Sequence, residues 1–123
     1  MDFGNFIKEK RLAQGITLRG LAAEIGIAPA YMSDIEKSHR YPPDKEKLYA
    51  ISKALQLSDT DRDKMFDLAG SEKENTVSPD LPEYIMEHEQ VRTALRMARD
   101  SGVGNDFWQD LIDKMKKEQS ENN

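Results

Sequence analysis

Between Thr17 and Glu36 the chain reads TLRGLAAEIGIAPAYMSDIE, and the short side chains in its second half are the strongest candidates for chemistry. A hydroxyl such as that of Ser33 donates or accepts a hydrogen bond, a carboxylate such as that of Asp34 accepts from an amino group, and a methyl such as that of Ala30 packs on another methyl. These are groups of recognition rather than of bond-making. No Ser/His/Asp or lysine-centred grouping stands out, so no catalytic residue is assigned and no enzyme is expected. The two histidines, His39 and His88, lie far apart in the chain, whereas a zinc site needs more ligands at close spacing. Asp59, Asp61 and Asp63 suggest a calcium loop, but the sixth and twelfth positions that need Gly and Glu hold Lys64 and Gly70. Those acids read instead as favourable charge at a helix N-terminus. Gly102-Val103-Gly104 is too short for a phosphate cradle and reads as a turn. No metal and no cofactor are expected.

The elements that must position Thr17 to Glu36 are helices. Phe6, Ile7, Arg11 and Leu12 form a helical stripe that stops at Gly15. Thr17 is an N-cap for a second helix with Leu18, Leu21, Ala22 and Ile25 on its apolar face. Gly26 ends that helix in the left-handed conformation, and Pro29 suits the first turn of a third, which carries Tyr31, Met32 and Ile35 and runs to about Lys37. Ala22 stands where the two helices approach, and Ile27 and Ile35 point inward. Tyr41-Pro42-Pro43 is extended. A fourth helix holds Leu48, Ile51, Ala54 and Leu55. A fifth, opened by Ser58 and Asp61, holds Met65, Phe66 and Leu68 and stops at Gly70. No run alternates apolar and polar residues, so the fold class is all-α.

Such a helical pair presents its second helix as a rod that fits the DNA major groove, about 12 Å wide. Arg11, Gly15, Thr17, Leu21, Ala22, Ile25, Gly26, Tyr31, Met32, Ile35, Glu36, Pro42, Leu48 and Leu55 carry a resemblance to the helix-turn-helix of the Cro and phage-repressor family, also called XRE-type. It spans residues 3–69. The resemblance implies a five-helix, lambda-repressor-like DNA-binding domain over 1–70, with Ala28 to Glu36 as recognition helix and Arg11–Glu36 as a structural ion pair. It implies base-facing Pro29, Ala30, Tyr31, Ser33 and Asp34, with phosphate contacts from Thr17, Arg19, Lys37, His39 and Arg40. The chain departs from the family pattern at Leu18, where many members have a phosphate-binding Gln, at Ala28 in place of a Ser or Thr cap, and at Ser38 in place of a frequent Gly. Before Lys37 the recognition helix offers no Arg, Lys, Asn or Gln for bidentate base contacts.

Beyond Gly70 the composition changes. Residues 1–70 carry 11 basic and 11 acidic side chains, so the whole net charge of −5 falls on residues 71–123. Residues 71–80 are polar and read as a linker. Residues 81–118 read as an αα-hairpin, with Ile85, His88, Val91, Leu95 and Ala98 on one face of its first helix and Asn105 capping the second. Residues 119–123 read as a disordered tail. The apolar side chains Val91, Leu95, Phe107, Trp108, Leu111, Ile112 and Met115 are more than two helices can bury between them. The same hairpin in a second subunit, the chain's own first domain, or a different protein can cover them. The first favours a homodimer on an inverted-repeat operator, and thus a repressor of transcription. The other class is an interaction module, antitoxin-like or an adaptor, acting through the hairpin. The chain has no cysteine, a mean hydropathy of −0.77, no membrane-length apolar run and a charged N-terminal decapeptide. Cytoplasmic localisation, double-stranded DNA as partner and no membrane association are therefore expected.

Overall fold

The structure, a computed structural model, describes residues 1–122. Among the described residues eight helices follow one another: α1 Phe3–Ala13, α2 Leu18–Ile25, α3 Pro29–Glu36, α4 Lys45–Ala54, α5 Asp59–Ser71, α6 Pro82–Glu87, α7 Glu89–Ser101 and α8 Asn105–Glu121. No strand occurs among the described residues. None of these helices is long and apolar enough to cross a membrane. The chain folds as two units, Met1–Tyr84 and a second that begins at Ile85.

In the first unit the starts of four helices are held by side chains that answer otherwise unpaired N–H groups. Asp2 caps α1 on Asn5 N, Thr17 caps α2 on Gly20 N, Asp44 caps α4 on Lys47 N and Ser58 caps α5 on Asp61 N. α3 has no such cap; it opens with Pro29, which has no N–H to satisfy. Phe3, Phe6, Ile7, Leu21, Ala22, Ile25, Met32, Ile35, Leu48, Ile51, Leu55, Met65, Phe66 and Ala69 form one buried core, with Ile27 and Leu68 packed partly buried against it. α2 packs on α3 and α4, and α1 on α3 and α5. Leu12 departs from the expected stripe and is 59% exposed. The inward face of α1 rotates past it, from Phe6 and Ile7 to Arg11.

The polar stretch 71–80 folds back instead of hanging free. A methyl at Gly70 would stand 2.6 Å from Ser78 N and 2.7 Å from the Val77 carbonyl carbon, so only glycine lets that strand of backbone lie on the end of α5. Lys73 Nζ sits 4.4 Å from the centre of the Tyr41 ring, and Lys45 pairs with Glu83.

The second unit holds α7 and α8, joined by a short turn. The expected continuous face through His88 is interrupted there: His88 is extended and serves as N-cap of α7. The Arg92 Nη1 donates to the carbonyls of Ile85 and Met86, 3.1 and 2.6 Å away, and so closes off α6 at its C-terminal end. Gly102, at φ 68°, ends α7, with Val103 N bonded to Ala98 O at 3.2 Å. Gly104, not Asn105, is the N-cap of α8; Asn105 is already helical. α8 runs through Glu121, past the expected end at residue 118. Val91 and Trp108 are half-buried, whereas Leu95, Phe107, Leu111, Ile112 and Met115 are exposed, Phe107 by 50%. The Phe107 and Trp108 rings meet edge to face, 5.1 Å apart.

Candidate nucleic-acid interface

The turn between α2 and α3 is built from backbone. Gly26 adopts φ 77° and ψ 36°, a left-handed conformation that glycine enters at little cost. Ile27 N then bonds back to Ala22 O at 2.9 Å. Lys47, from α4, places Nζ 2.9 Å from Ile25 O and so binds the carbonyl end of α2 directly. That cation satisfies an orphan acceptor and faces the negative end of the helix. Ala22 is fully buried between the two helices.

α3 is divided by its own periodicity. Met32, Ile35 and Glu36 point into the core, Pro29 and Ala30 are exposed, and Tyr31, Ser33 and Asp34 are half-buried. At its end, Glu36 receives two hydrogen bonds from Arg11 of α1, Nε at 2.7 Å and Nη2 at 2.9 Å. The third guanidinium nitrogen, Nη1, donates to Ile16 O at 3.0 Å. The Glu36 carboxylate holds the Arg11 guanidinium above its ordinary pKa, chiefly through those hydrogen bonds. The family's ion pair is thus in place.

Beyond α3 the chain turns sharply. Ser38 has φ 64°, which explains why glycine suits this position: a side chain there costs about 1–2 kcal/mol. Here Ser38 Oγ donates to Asp2 Oδ2 at 2.8 Å, which ties the turn to the start of α1. The Asn5 N–H and the Ser38 hydroxyl together hold the Asp2 carboxyl below its ordinary pKa.

The reversal at Ser38 brings His39 N to Asp34 O, 2.8 Å away. It also returns two basic side chains to the face of α3. His39 Nδ1 lies 4.0 Å from Asp34 Oδ1, and Arg40 Nε lies 3.7 Å from Asp34 Oδ2. The Arg40 guanidinium carbon stands 5.0 Å from the centre of the Tyr31 ring. Tyr31, Asp34, His39 and Arg40 therefore line one shallow cleft with Tyr41 and Pro42.

Of the residues expected to touch DNA, Pro29, Ala30, Tyr31, Ser33 and Asp34 share the solvent side of α3, and Lys37, His39 and Arg40 follow at its end. Arg19 is exposed on α2. The Thr17 hydroxyl oxygen is occupied as acceptor by Gly20 N at 2.9 Å, which leaves its O–H to donate. The pairing of Asp34 with Arg40 and the role of Lys47 were not read from the sequence. Neither follows a helical spacing, so neither leaves a periodic signal.

A helix-turn-helix family model matches residues 7–61. Among solved structures, the biofilm master regulator SinR in complex with DNA is 31% identical over 53% of this chain and 98% of that chain, with a TM-score of 0.47. A complex of SinR with SinI is 24% identical over 96% of this chain and 98% of that chain, with a TM-score of 0.48. The clp gene regulator ClgR from C. glutamicum is 29% identical over 59% of this chain and 91% of that chain, with a TM-score of 0.46. A search of curated protein sequences returned no match. The family match covers α2, the left-handed turn at Gly26 and α3, and residues 7–61 are accordingly a DNA-binding helix-turn-helix domain of the XRE type of transcriptional regulator.

Proposed function

We propose that the chain is a sequence-specific repressor of transcription that binds a short inverted repeat in double-stranded DNA as a homodimer, in the cytoplasm. The observation that carries this reading is the division of α3, which seats Met32, Ile35 and Glu36 in the core and turns Pro29, Ala30, Tyr31, Ser33 and Asp34 outward. Ala30 packs on a thymine methyl, and Ser33 donates to or accepts from a base edge. Arg19, Lys37 and His39, with the Thr17 hydroxyl, take phosphates and set the register of α3 in the groove. Because this face is poor in bidentate donors, affinity depends strongly on phosphate contacts and on joining two half-sites. Selection of bound duplexes from a random pool tests the reading. An inverted repeat should be enriched, with half-site centres about 34–36 Å apart. A folded protein that enriches no duplex at low salt would overturn it.

Dimerisation is assigned to the hairpin, through Val91, Leu95, Phe107, Trp108, Leu111 and Met115. Of these, Leu95, Phe107, Leu111 and Met115 are large apolar side chains exposed to solvent, and a two-fold operator calls for a two-fold protein. Trp108→Glu is expected to halve the mass measured by light scattering while leaving the first unit folded. An unchanged dimer mass would remove the hairpin as the main interface.

A second reading is an interaction module whose hairpin covers a different protein. It is favoured by the charge distribution, since the net −5 lies wholly in residues 71–123. A monomeric wild-type protein that enriches no duplex is the outcome that would select it.

A further inference from the structure

Arg40 differs from Arg19 and Lys37 in that its charge is already answered within the protein. Its Nε faces Asp34 Oδ2 at 3.7 Å, and its guanidinium lies over the Tyr31 ring at 5.0 Å. Yet it is far from buried: its side chain is 57% exposed and that of Asp34 44%. Contact through Nε uses one edge of the fork. No hydrogen bond among the described residues engages Nη1 or Nη2, so those donors are left for a ligand.

We propose that Arg40 is a specificity-determining residue that donates to O6 and N7 of a guanine in the major groove, with Asp34 and Tyr31 positioning it. The assignment rests on the DNA-binding reading above and deepens it. Phosphates and base edges ask for different things. A phosphate is held by net positive charge, and Asp34, beside Arg40, cancels much of that charge and repels the phosphate itself. A guanine edge is neutral overall and is read by two directed donors at fixed spacing, which a guanidinium supplies whether or not its charge is balanced. The aromatic ring and the carboxylate restrict the rotamers of a long side chain, which lowers the cost of ordering it on binding. The same pairing makes Asp34 a poor free acceptor for cytosine, because its two oxygens already face Arg40 and His39. The recognition helix that lacks a bidentate donor in its sequence thereby gains one from the turn that follows it.

The experiment is random-duplex selection with wild type, Arg40→Lys and Asp34→Asn, together with the salt dependence of binding to the enriched site. Arg40→Lys keeps the charge and removes the fork. It should lose roughly 5- to 150-fold of discrimination for guanine at one position in each half-site, with the slope of log K against log salt unchanged. Asp34→Asn should weaken preference at that same position and no other. Arg40→Lys that keeps every base preference would overturn the assignment while leaving DNA binding intact. So would Arg40→Ala that weakens all duplexes equally and lowers the salt slope by about 0.9, the signature of a phosphate contact. No enrichment by wild type would overturn the DNA-binding reading and this assignment with it.

Discussion

Glu36→Ala is expected to lower the stability of the first unit by about 3–5 kcal/mol, the cost of leaving one member of a buried ion pair without its partner. The side chains of Arg11 and Glu36 are only 9% and 4% exposed. The guanidinium pKa is raised in the fold, so the linked stability is present at every pH below its ordinary value and is lost only as pH climbs past it. An Arg side chain stays protonated at neutral pH even without its partner, so the cation left behind by Glu36→Ala cannot escape by deprotonation. For a domain of this size the loss corresponds to a fall in Tm of more than about 12 °C, read by circular dichroism. Arg11→Met combined with Glu36→Leu should recover most of it, because a desolvated pair adds little over well-packed apolar groups. The double variant still loses the bond from Arg11 Nη1 to Ile16 O, so recovery stays incomplete by about 1 kcal/mol. A fall of under about 3 °C for Glu36→Ala would mean that water reaches the site and screens the orphaned charge.

The pair was legible in the sequence only through the family resemblance, whereas the helix-turn-helix itself announced its parts locally. Thr17, Gly26, Pro29 and Ser58 act on backbone within a few residues of themselves, and each does in the structure what its type suggests. Contacts made across the fold left no comparable trace. Lys47 reaches Ile25 O from another helix, and Arg40 reaches Asp34 only because Ser38 takes a left-handed conformation that its residue type does not advertise. The same holds for residues 71–80. Their polarity suggested a linker, but their docking depends on the missing side chain of Gly70, an absence that composition cannot interpret. Periodicity overreached at Leu12 and His88. The first falls where α1 turns its face away from the core, and the second where Arg92 takes over the carbonyls that a continuing helix would use.

Gly4→Ala is expected to cost about 2 kcal/mol or more, against the direction that helix propensity alone dictates. Ala in a helix interior gains up to about 1 kcal/mol over Gly, and Gly4, in the first turn of α1, gains at most part of that. A Cβ there would stand 2.6 Å from both Ile35 O and Glu36 O and 2.9 Å from the Glu36 carbonyl carbon. These obstacles are backbone at the end of α3 and cannot rotate aside, so α1 and α3 must separate, at the upper end of the 1–3 kcal/mol that overpacking costs. Separation also strains the Arg11–Glu36 bonds and the Ser38 Oγ to Asp2 Oδ2 bond of 2.8 Å, so the recognition helix shifts along with the loss of stability. Gly15 provides the contrast. Its φ of 69° disfavours a side chain, but nothing lies within 4 Å of a Cβ built there. Gly15→Asn should therefore be tolerated, since Asn enters the left-handed region more readily than other residues, while Gly4→Asn should be worse than Gly4→Ala. Equal tolerance at the two positions in thermal unfolding would show that α1 and α3 can move apart freely. The close approach at Gly4 would then have no part in holding the recognition helix against the core.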